Sequence, residues 1–316
     1  SESPLKAGVI WVGTDDGKVQ VTRDHGATWA DCTAGIAAAG GPADLWVSRV
    51  LASPHNAGTA FVSKTGFRQD ILKPLLFQTT DFGATWAAIA GDLPEKNINV
   101  VVQDRKNAGL LFVGTDSGLY VSLNGGRNWL PFKAGMPWVK VTDLIIHPRE
   151  NDLIAATYGR SLWLTDITLL QEWDAKIPAE DAHLFGVEPR DQLQPTVYGN
   201  YQLLGDSHLM TPNESGDFVI RYYLKEKAKA KVKVTITDLS GKVLRELEGK
   251  GEPGFNTVMW DMRPQKEKEI NADVEYWEWR QSPPVEPGEY SVILEAEGRK
   301  LTQKAVIRKR LGWSIG

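Results

Sequence analysis

Carboxylates, a tyrosine and arginines recur in this 316-residue chain just after short apolar runs. Asp15 and Asp16 precede Gly17, Asp116 precedes Ser117-Gly118, and Tyr158-Gly159-Arg160 follows a further run. Two carboxyl groups placed across a sugar can hydrolyse a glycosidic bond, and a tyrosine can replace one of them as nucleophile. Asp15 or Asp16 with Asp116 offers the first arrangement, and Tyr158 with Arg160 suggests the second. The same residues have a plainer reading. Asp-x-Gly is ordinary turn chemistry, and an Arg after Gly can pair with a neighbouring repeat. Both readings stay open at this level. Trp46, Arg68 and Trp138 fall in nearby loops and links and are candidate ligand-binding residues.

The elements that position these residues are repeats. Three octets share one pattern: Thr22-Arg-Asp24-His-Gly26-Ala-Thr28-Trp29, Thr79-Thr-Asp81-Phe-Gly83-Ala-Thr85-Trp86 and Ser122-Leu-Asn124-Gly-Gly126-Arg-Asn128-Trp129. In each, a hydroxyl residue ends a strand, Asp24, Asp81 or Asn124 caps the turn, and Gly26, Gly83 or Gly126 takes the positive φ of a tight hairpin. Trp29, Trp86 and Trp129 then open the next strand as apolar anchors, whose indole N–H needs a partner if buried. Around the octets lie short β-rich runs split by turn residues, in units of roughly 40 to 60 residues, the period of β-propeller blades.

The first unit begins at Gly8 without an innermost strand, and the fourth, from Val141 to Thr165, has no octet. The expectation is about three and a half blades over residues 1–166, fewer than the four or more of closed propellers. An open arc would expose sheet edges and apolar blade faces. The chain therefore reads as part of a larger protein, with a missing N-terminal segment or a partner chain completing the propeller.

Topology divides the candidates. In an up-and-down blade, the loops between strands 1 and 2 share a face with those between strands 3 and 4, which are the octets. That face takes His55, Asn107 and His147. The opposite face collects the loops between strands 2 and 3 and the links between blades, with Asp15, Asp16, Trp46, Arg68, Asp70, Glu95, Asp116, Trp138, Tyr158 and Arg160. Any ligand site belongs there, and the octet carboxylates are structural.

Residues 167–215 are irregular and proline-punctuated, a connector expected to pack on the propeller. Residues 216–316 contain about seven alternating strands, as in an immunoglobulin-like sandwich. The lone Cys32 leaves the fold to rest on apolar burial, for which twelve Trp residues are at hand. A net charge of -4 without a basic stripe disfavours nucleic-acid binding, and the apolar runs are only strand length. His25, His55, His147, His183 and His208 lack metal-ligand spacing. No cofactor is expected, because neither a P-loop, a dinucleotide fingerprint nor a serine-nucleophile motif occurs. Tyr276-Trp-Glu-Trp279 reads as a sugar platform or as a packed sandwich edge.

The octets resemble Asp-boxes, the hairpin repeats of sialidases, xyloglucanases and sortilin-type receptors. Over most of residues 8–170 the chain is similar to the C-terminal part of bacterial sortilin-like or glycosyl-hydrolase-like repeat proteins. The runs Gly8-Val-Ile-Trp-Val-Gly-Thr-Asp-Asp-Gly17 and Leu144-Ile-Ile-His-Pro-Arg-Glu-Asn-Asp-Leu153 and the segment Thr157-Tyr-Gly-Arg160 carry that likeness. Asp238-Leu-Ser-Gly-Lys-Val-Leu-Arg245 and Pro287-Gly-Glu-Tyr290 resemble the immunoglobulin-like modules that end many secreted bacterial proteins. The resemblance implies an extracytoplasmic home. It leaves two functions open, recognition of a protein, peptide or glycan and glycoside hydrolysis, because such repeats serve both. Sialidases hold a substrate carboxylate with three arginines, and here Arg68 and Arg160 are the two that present themselves.

Overall fold

The structure, a computed structural model, describes residues 1–192, 216–265 and 283–309. The Tyr276–Trp279 aromatic run lies outside the described residues. The chain is all-β in class and divides into two compact units, Ser1–Trp173 and Asp174–Gly316.

Unit 1 is a row of four propeller-type blades in sequence order. Blade 1 contains β1 (Ile10–Gly13), β2 (Val19–Thr22) and β3 (Ala30–Asp31), followed by α1 (Thr33–Ala38). Blade 2 contains β4 (Trp46–Ala52), β5 (Ala60–Gly66), β6 (Ile71–Thr79) and β7 (Ala87–Ala88), and blade 3 contains β8 (Ile98–Gln103), β9 (Leu111–Thr115), β10 (Gly118–Ser122) and β11 (Leu130–Pro131). Blade 4 has β12 (Val141–Ile146), β13 (Asp152–Thr157) and β14 (Leu162–Asp166), with α2 (Thr168–Gln171) after it. All pairings within these sheets are antiparallel.

Blade 1 corrects one expectation. Its innermost position is not empty, because Ser1–Ser3 pair there: Ser3 N–H donates to Val9 O (2.8 Å) and Trp11 N–H to Ser1 O (2.8 Å). Ser53 N–H makes the equivalent bond to Thr59 O (3.0 Å), and Asp104 N–H to Leu110 O (2.9 Å). Ser3-Pro-Leu-Lys-Ala-Gly8 is thus the counterpart of Ser53-Pro-His-Asn-Ala-Gly58. Three residues are too few to show strand periodicity, so Ser1–Ser3 carry no strand signal in the sequence.

Neighbouring blades meet through one repeated device. In the first strands β4, β8 and β12, Val47, Ile98 and Val141 are each followed by a bulge at Ser48, Asn99 or Thr142. A bulged residue is unpaired within its own ladder and free to reach outward. Ser48 Oγ donates to Ile98 O (2.7 Å) and Asn99 Nδ2 to Val141 O (3.1 Å), so each ties its blade to the next. Opposite the bulges the second strands carry small residues. A Cβ on Gly13 would lie 2.3 Å from Val47 Cγ1, and one on Gly114 would lie 2.6 Å from Val141 Cγ1. The following blade packs directly on that backbone.

The octets form one hydrogen-bonded turn three times. Asp81 Oδ1 accepts from Thr79 Oγ1 (2.8 Å) and Thr85 N–H (2.9 Å), Asp81 Oδ2 accepts from Thr85 Oγ1 (2.6 Å), and Gly83 N–H donates to Thr79 Oγ1 (3.0 Å). Asp24 repeats this set with Thr22 and Thr28; Asn124 Oδ1 accepts from Ser122 Oγ and Asn128 N–H in the same way, but its Nδ2 donates to Asn128 Oδ1 (3.1 Å). Gly26, Gly83 and Gly126 have φ of 91, 84 and 88°, where a side chain would be strained. The Trp129 indole donates to Ile89 O (2.8 Å) and that of Trp86 to Gly83 O (3.1 Å), whereas Trp29 stays exposed.

Unit 2 is a β-sandwich of two sheets. One is ordered β15 (Ala182–Leu184), β17 (Phe218–Leu224), β20 (Gly254–Trp260). The other is ordered β16 (Arg190–Asp191), β22 (Arg299–Arg308), β21 (Gly288–Ala296), β18 (Val232–Thr237), β19 (Val243–Gly249). Strict alternation puts Phe218, Ile220, Tyr222 and Leu224 of one sheet and Val232, Val234, Ile236, Val292 and Leu294 of the other into one core. Residues 182–191, read above as connector, add the short strands β15 and β16 to these sheets.

Candidate functional site

The turn between β9 and β10 and the long excursion between β5 and β6 bring aromatic rings and cations together on unit 1. The Arg68 guanidinium lies over the Trp46 ring, 4.5 Å from its centroid, and 5.8 Å from that of Phe67. Lys140 Nζ sits 5.9 Å from the Phe67 centroid and bonds Asp116 Oδ1 at 2.9 Å. Asn99 Nδ2, on the bulge of β8, donates to the same oxygen at 3.2 Å. The backbone continues the series, since Tyr158 N–H donates to Lys140 O (2.9 Å). Two residues before Lys140, the exposed Trp138 packs on Gly118 and Tyr120 and carries Lys133 Nζ 5.1 Å from its ring centroid.

These contacts join Trp46, Arg68, Asp116 and the Tyr158 backbone, all singled out in the sequence, across blades 2, 3 and 4. Trp46, Phe67, Trp138 and Tyr158 keep much of their surface in water. The Arg68 guanidinium has no carboxylate partner among the described residues, so its hydrogen-bonding edge is free while its face stacks on an indole. That combination of planar donors and aromatic support suits carboxylate, phosphate or amide groups.

The carboxylates are not arranged as an acid–base pair. Burial of Asp116 acts to raise its pKa, but the Lys140 ammonium and the Asn99 amide outweigh burial and hold the group below the ordinary aspartate value. A general acid needs the opposite shift. Asp16 accepts from Thr14 Oγ1 within its own turn and pairs with Lys18 at 3.4 Å, and its pKa is lowered, chiefly by the Thr14 hydroxyl. Asp15 is exposed in the same turn, and no described contact joins either residue to Asp116. Tyr158 is 77% exposed, and Arg160 offers its carbonyl to Trp163 Nε1 (2.8 Å).

The octet side of the blades is bound up in turns. His25, Phe82 and Gly125 N–H groups donate to Gly8, Gly58 and Gly109 carbonyls at 3.2, 2.9 and 2.8 Å, fastening each octet to the first turn of its own blade. His55 Nε2 meets Asp104 O (2.7 Å), and His147 Nδ1 accepts from Glu150 N–H (3.0 Å). A groove of about 580 Å³ runs between the first two octets, lined among others by Asp24, Trp29, Asp31, Cys32 and Phe82. Asp24 and Asp81 are held at a pKa of about 2, chiefly by the Thr28 and Thr85 hydroxyls. Burial pushes the Cys32 thiol up to about 11, which removes it as a nucleophile.

Phe67, Asn99 and Lys140 were not singled out in the sequence. Lys140 stands immediately before Val141 of β12, as Trp46 does before Val47 of β4, and aligning the links between blades reveals that equivalence. Phe67 lies inside the expanded loop, where the repeat gives no register.

A scan against protein-family models gives no match, and a search of curated protein sequences gives none either. Among solved structures, the chain is similar to a glycoside hydrolase family 74 enzyme of Niastella koreensis, at 11% identity and a TM-score of 0.41, over 96% of this chain and 46% of that one. It is similar to the extracellular domain of the putative one component system BT4673 from B. thetaiotaomicron (11% identity, TM-score 0.35, 95% and 36% covered). It is also similar to YCF48 from Cyanidioschyzon merolae (15% identity, TM-score 0.36, 96% and 93% covered). The chain spans less than half the length of the first two. No helix among the described residues is long and apolar enough to cross a membrane.

Proposed function

We propose that unit 1 is an extracytoplasmic recognition or scaffold module that binds a protein, peptide or glycan over the Trp46, Arg68, Phe67 and Lys140 series, with the immunoglobulin-like sandwich of unit 2 as spacer or docking module. The free hydrogen-bonding edge of Arg68, stacked on Trp46, carries this reading. Exposed aromatics alternating with cations supply apolar area and fixed donors together, the composition of binding hot spots. The Asp-box character of the octets and the resemblance to sortilin-like proteins support the extracytoplasmic setting.

Glycoside hydrolysis on the same face is the second reading, with Asp116 as its central carboxylate. It is less favoured because Asp116 is held ionised between Lys140 and Asn99. An immobilised panel of glycans and peptides separates the two. Under the recognition reading, Arg68→Ala and Trp46→Ala each lower retention on the bound probes about tenfold or more. Retention unchanged in both variants defeats the reading.

A further inference from the structure

One position of the repeat occurs three times around the Arg68 site. Trp46, Asn97 and Lys140 immediately precede Val47, Ile98 and Val141, the residues before the bulges. Trp46 carries the Arg68 guanidinium, and Lys140 reaches both Phe67 and Asp116. Asn97, the middle member, is fully buried. Its side-chain oxygen accepts from Gly66 N–H (3.3 Å), and its backbone oxygen accepts from Asp116 N–H (3.2 Å). Gly66 closes β5 directly before the single turn Phe67–Gln69 that carries Arg68. Asn97 thus joins the root of the Arg68 excursion in blade 2 to the Asp116 turn in blade 3, and the Lys140 contacts with Asp116 and Phe67 close the circuit on the outside.

The two halves of that circuit are unequal. Phe67, Arg68, Gln69 and Asp70 are all exposed, so the tip has little packing of its own. Contacts of cations with rings and carboxylates that lie in water are weak. The bond from Gly66 to Asn97 is enclosed, where a hydrogen bond is stronger and its loss leaves a buried group unmet. The root has no room to shift, since a Cβ on Gly66 would lie 2.7 Å from Ile71 Cβ. Asn97 Nδ2 is buried without an acceptor at bonding distance among the described residues, which packing for stability alone does not call for. Against the raising effect of burial, this amide still joins Lys140 and Asn99 in lowering the Asp116 pKa.

We infer that Asn97 is the positioning residue of the binding surface: it pins Gly66, so that the Arg68 guanidinium stands on Trp46 with its donor edge fixed before a ligand arrives. Fixing the donors in advance lowers the ordering cost of binding. This role rests on the reading of Arg68 as the ligand-binding group, but the pinning itself is measurable without a ligand.

NMR of protein isotope-labelled at arginine tests it. A guanidinium held over an indole resonates upfield of a free one. The Arg68 signal, assigned by its loss in Arg68→Lys, therefore reports the stack, and Trp46→Leu sets the unstacked position. In Asn97→Ala the signal is expected to move at least halfway to that position. Ser48→Ala, which removes the bond from Ser48 Oγ to Ile98 O at the same blade boundary, is expected to leave it in place. Should Asn97→Ala fail to fold, hydrogen exchange in the wild type decides. The Gly66 amide is expected to exchange about tenfold or more slower than those of Phe67 and Gln69. On any glycan or peptide probe that the wild type retains, Asn97→Ala lowers retention about fivefold or more, and adding Arg68→Ala lowers it little further. The inference is overturned by an unmoved Arg68 signal, by an equal movement in Ser48→Ala, by a Gly66 amide that exchanges as fast as its neighbours, or by unchanged retention in Asn97→Ala. A wild type that retains no probe defeats the recognition reading alone, and the Arg68 signal still decides whether Asn97 pins the tip.

Discussion

Arg49 of β4 and Asp143 of β12 hold the same place in the repeat two blades apart, and their side chains form an ion pair past Val100, which holds that place in β8. The pair brings the first strands of blades 2 and 4 towards each other and so marks the inner side of the row. Both side chains remain partly in water, so the contact is worth roughly 0.2–1 kcal/mol. A double-mutant cycle of Arg49→Ala and Asp143→Ala, followed by urea unfolding, is expected to give a coupling in that range that shrinks in high salt. Zero coupling at low salt would mean that the two blades do not meet in solution.

The close approach at Gly114 sets a second expectation. Gly114→Ala forces a methyl into Val141 and should destabilise unit 1 by about 1–3 kcal/mol, the usual cost of overpacking. Ala156→Ser at the equivalent place in blade 4 should cost less than about 0.5 kcal/mol in the isolated chain, because no following blade presses on it. Equal costs at the two positions would break the repeat argument.

Acid should act through the octets. The carboxyls of Asp24 and Asp81 titrate at about 2 in the folded chain against an ordinary 3.8, so their hydrogen bonds stabilise the fold fully above the higher value. That contribution is lost as pH falls from the upper value towards the lower. Asn124 already fills this role in blade 3 with the same backbone acceptance from Asn128. Asp24→Asn with Asp81→Asn should therefore keep the neutral melting temperature within a few degrees and flatten its fall in the acid range. Thermal melts at a series of pH values check this, and a double variant as acid-sensitive as the wild type contradicts it.

Lys64 departs from its equivalents Thr14, Thr115 and Thr157. Fully buried in β5, its ammonium donates to the carbonyls of Gly17 and Pro42 at 2.8 Å and of Ala43 at 3.2 Å, bonding blade 2 to a turn and a link of blade 1. Burial lowers its pKa, with nearby Asp44 acting the other way. Lys64→Met fills the space but leaves those acceptors unmatched, an expected loss of about 1–3 kcal/mol by denaturant titration. Unchanged stability would show that water replaces the ammonium.

Much of this architecture was legible in the residues. The octets announce their turns because Thr, Asp and Gly at fixed offsets are what such a hairpin demands, and the alternation of Phe218 to Leu224 declares a half-buried strand. Legibility failed where the signal was short or lay between chain segments. Ser1–Ser3 were too brief to read as a strand. The Lys140 to Asp116 pair joins the link before blade 4 to a turn of blade 3, a contact that no local spacing encodes. Asp15 and Asp116 share a repeat position, which made them look like a catalytic pair, yet that equivalence places them in turns two blades apart.

The most direct measurement of the central claim, recognition rather than hydrolysis on this face, uses one panel of immobilised glycans and peptides. Each probe is read for retained protein and for shortening by mass spectrometry, with wild type, Arg68→Ala and Asp116→Asn. The expected result is retention that falls about tenfold or more in Arg68→Ala, with no probe shortened by any of the three proteins. Glycan probes shortened by the wild type and left intact by Asp116→Asn would contradict the account and make Asp116 a catalytic carboxylate.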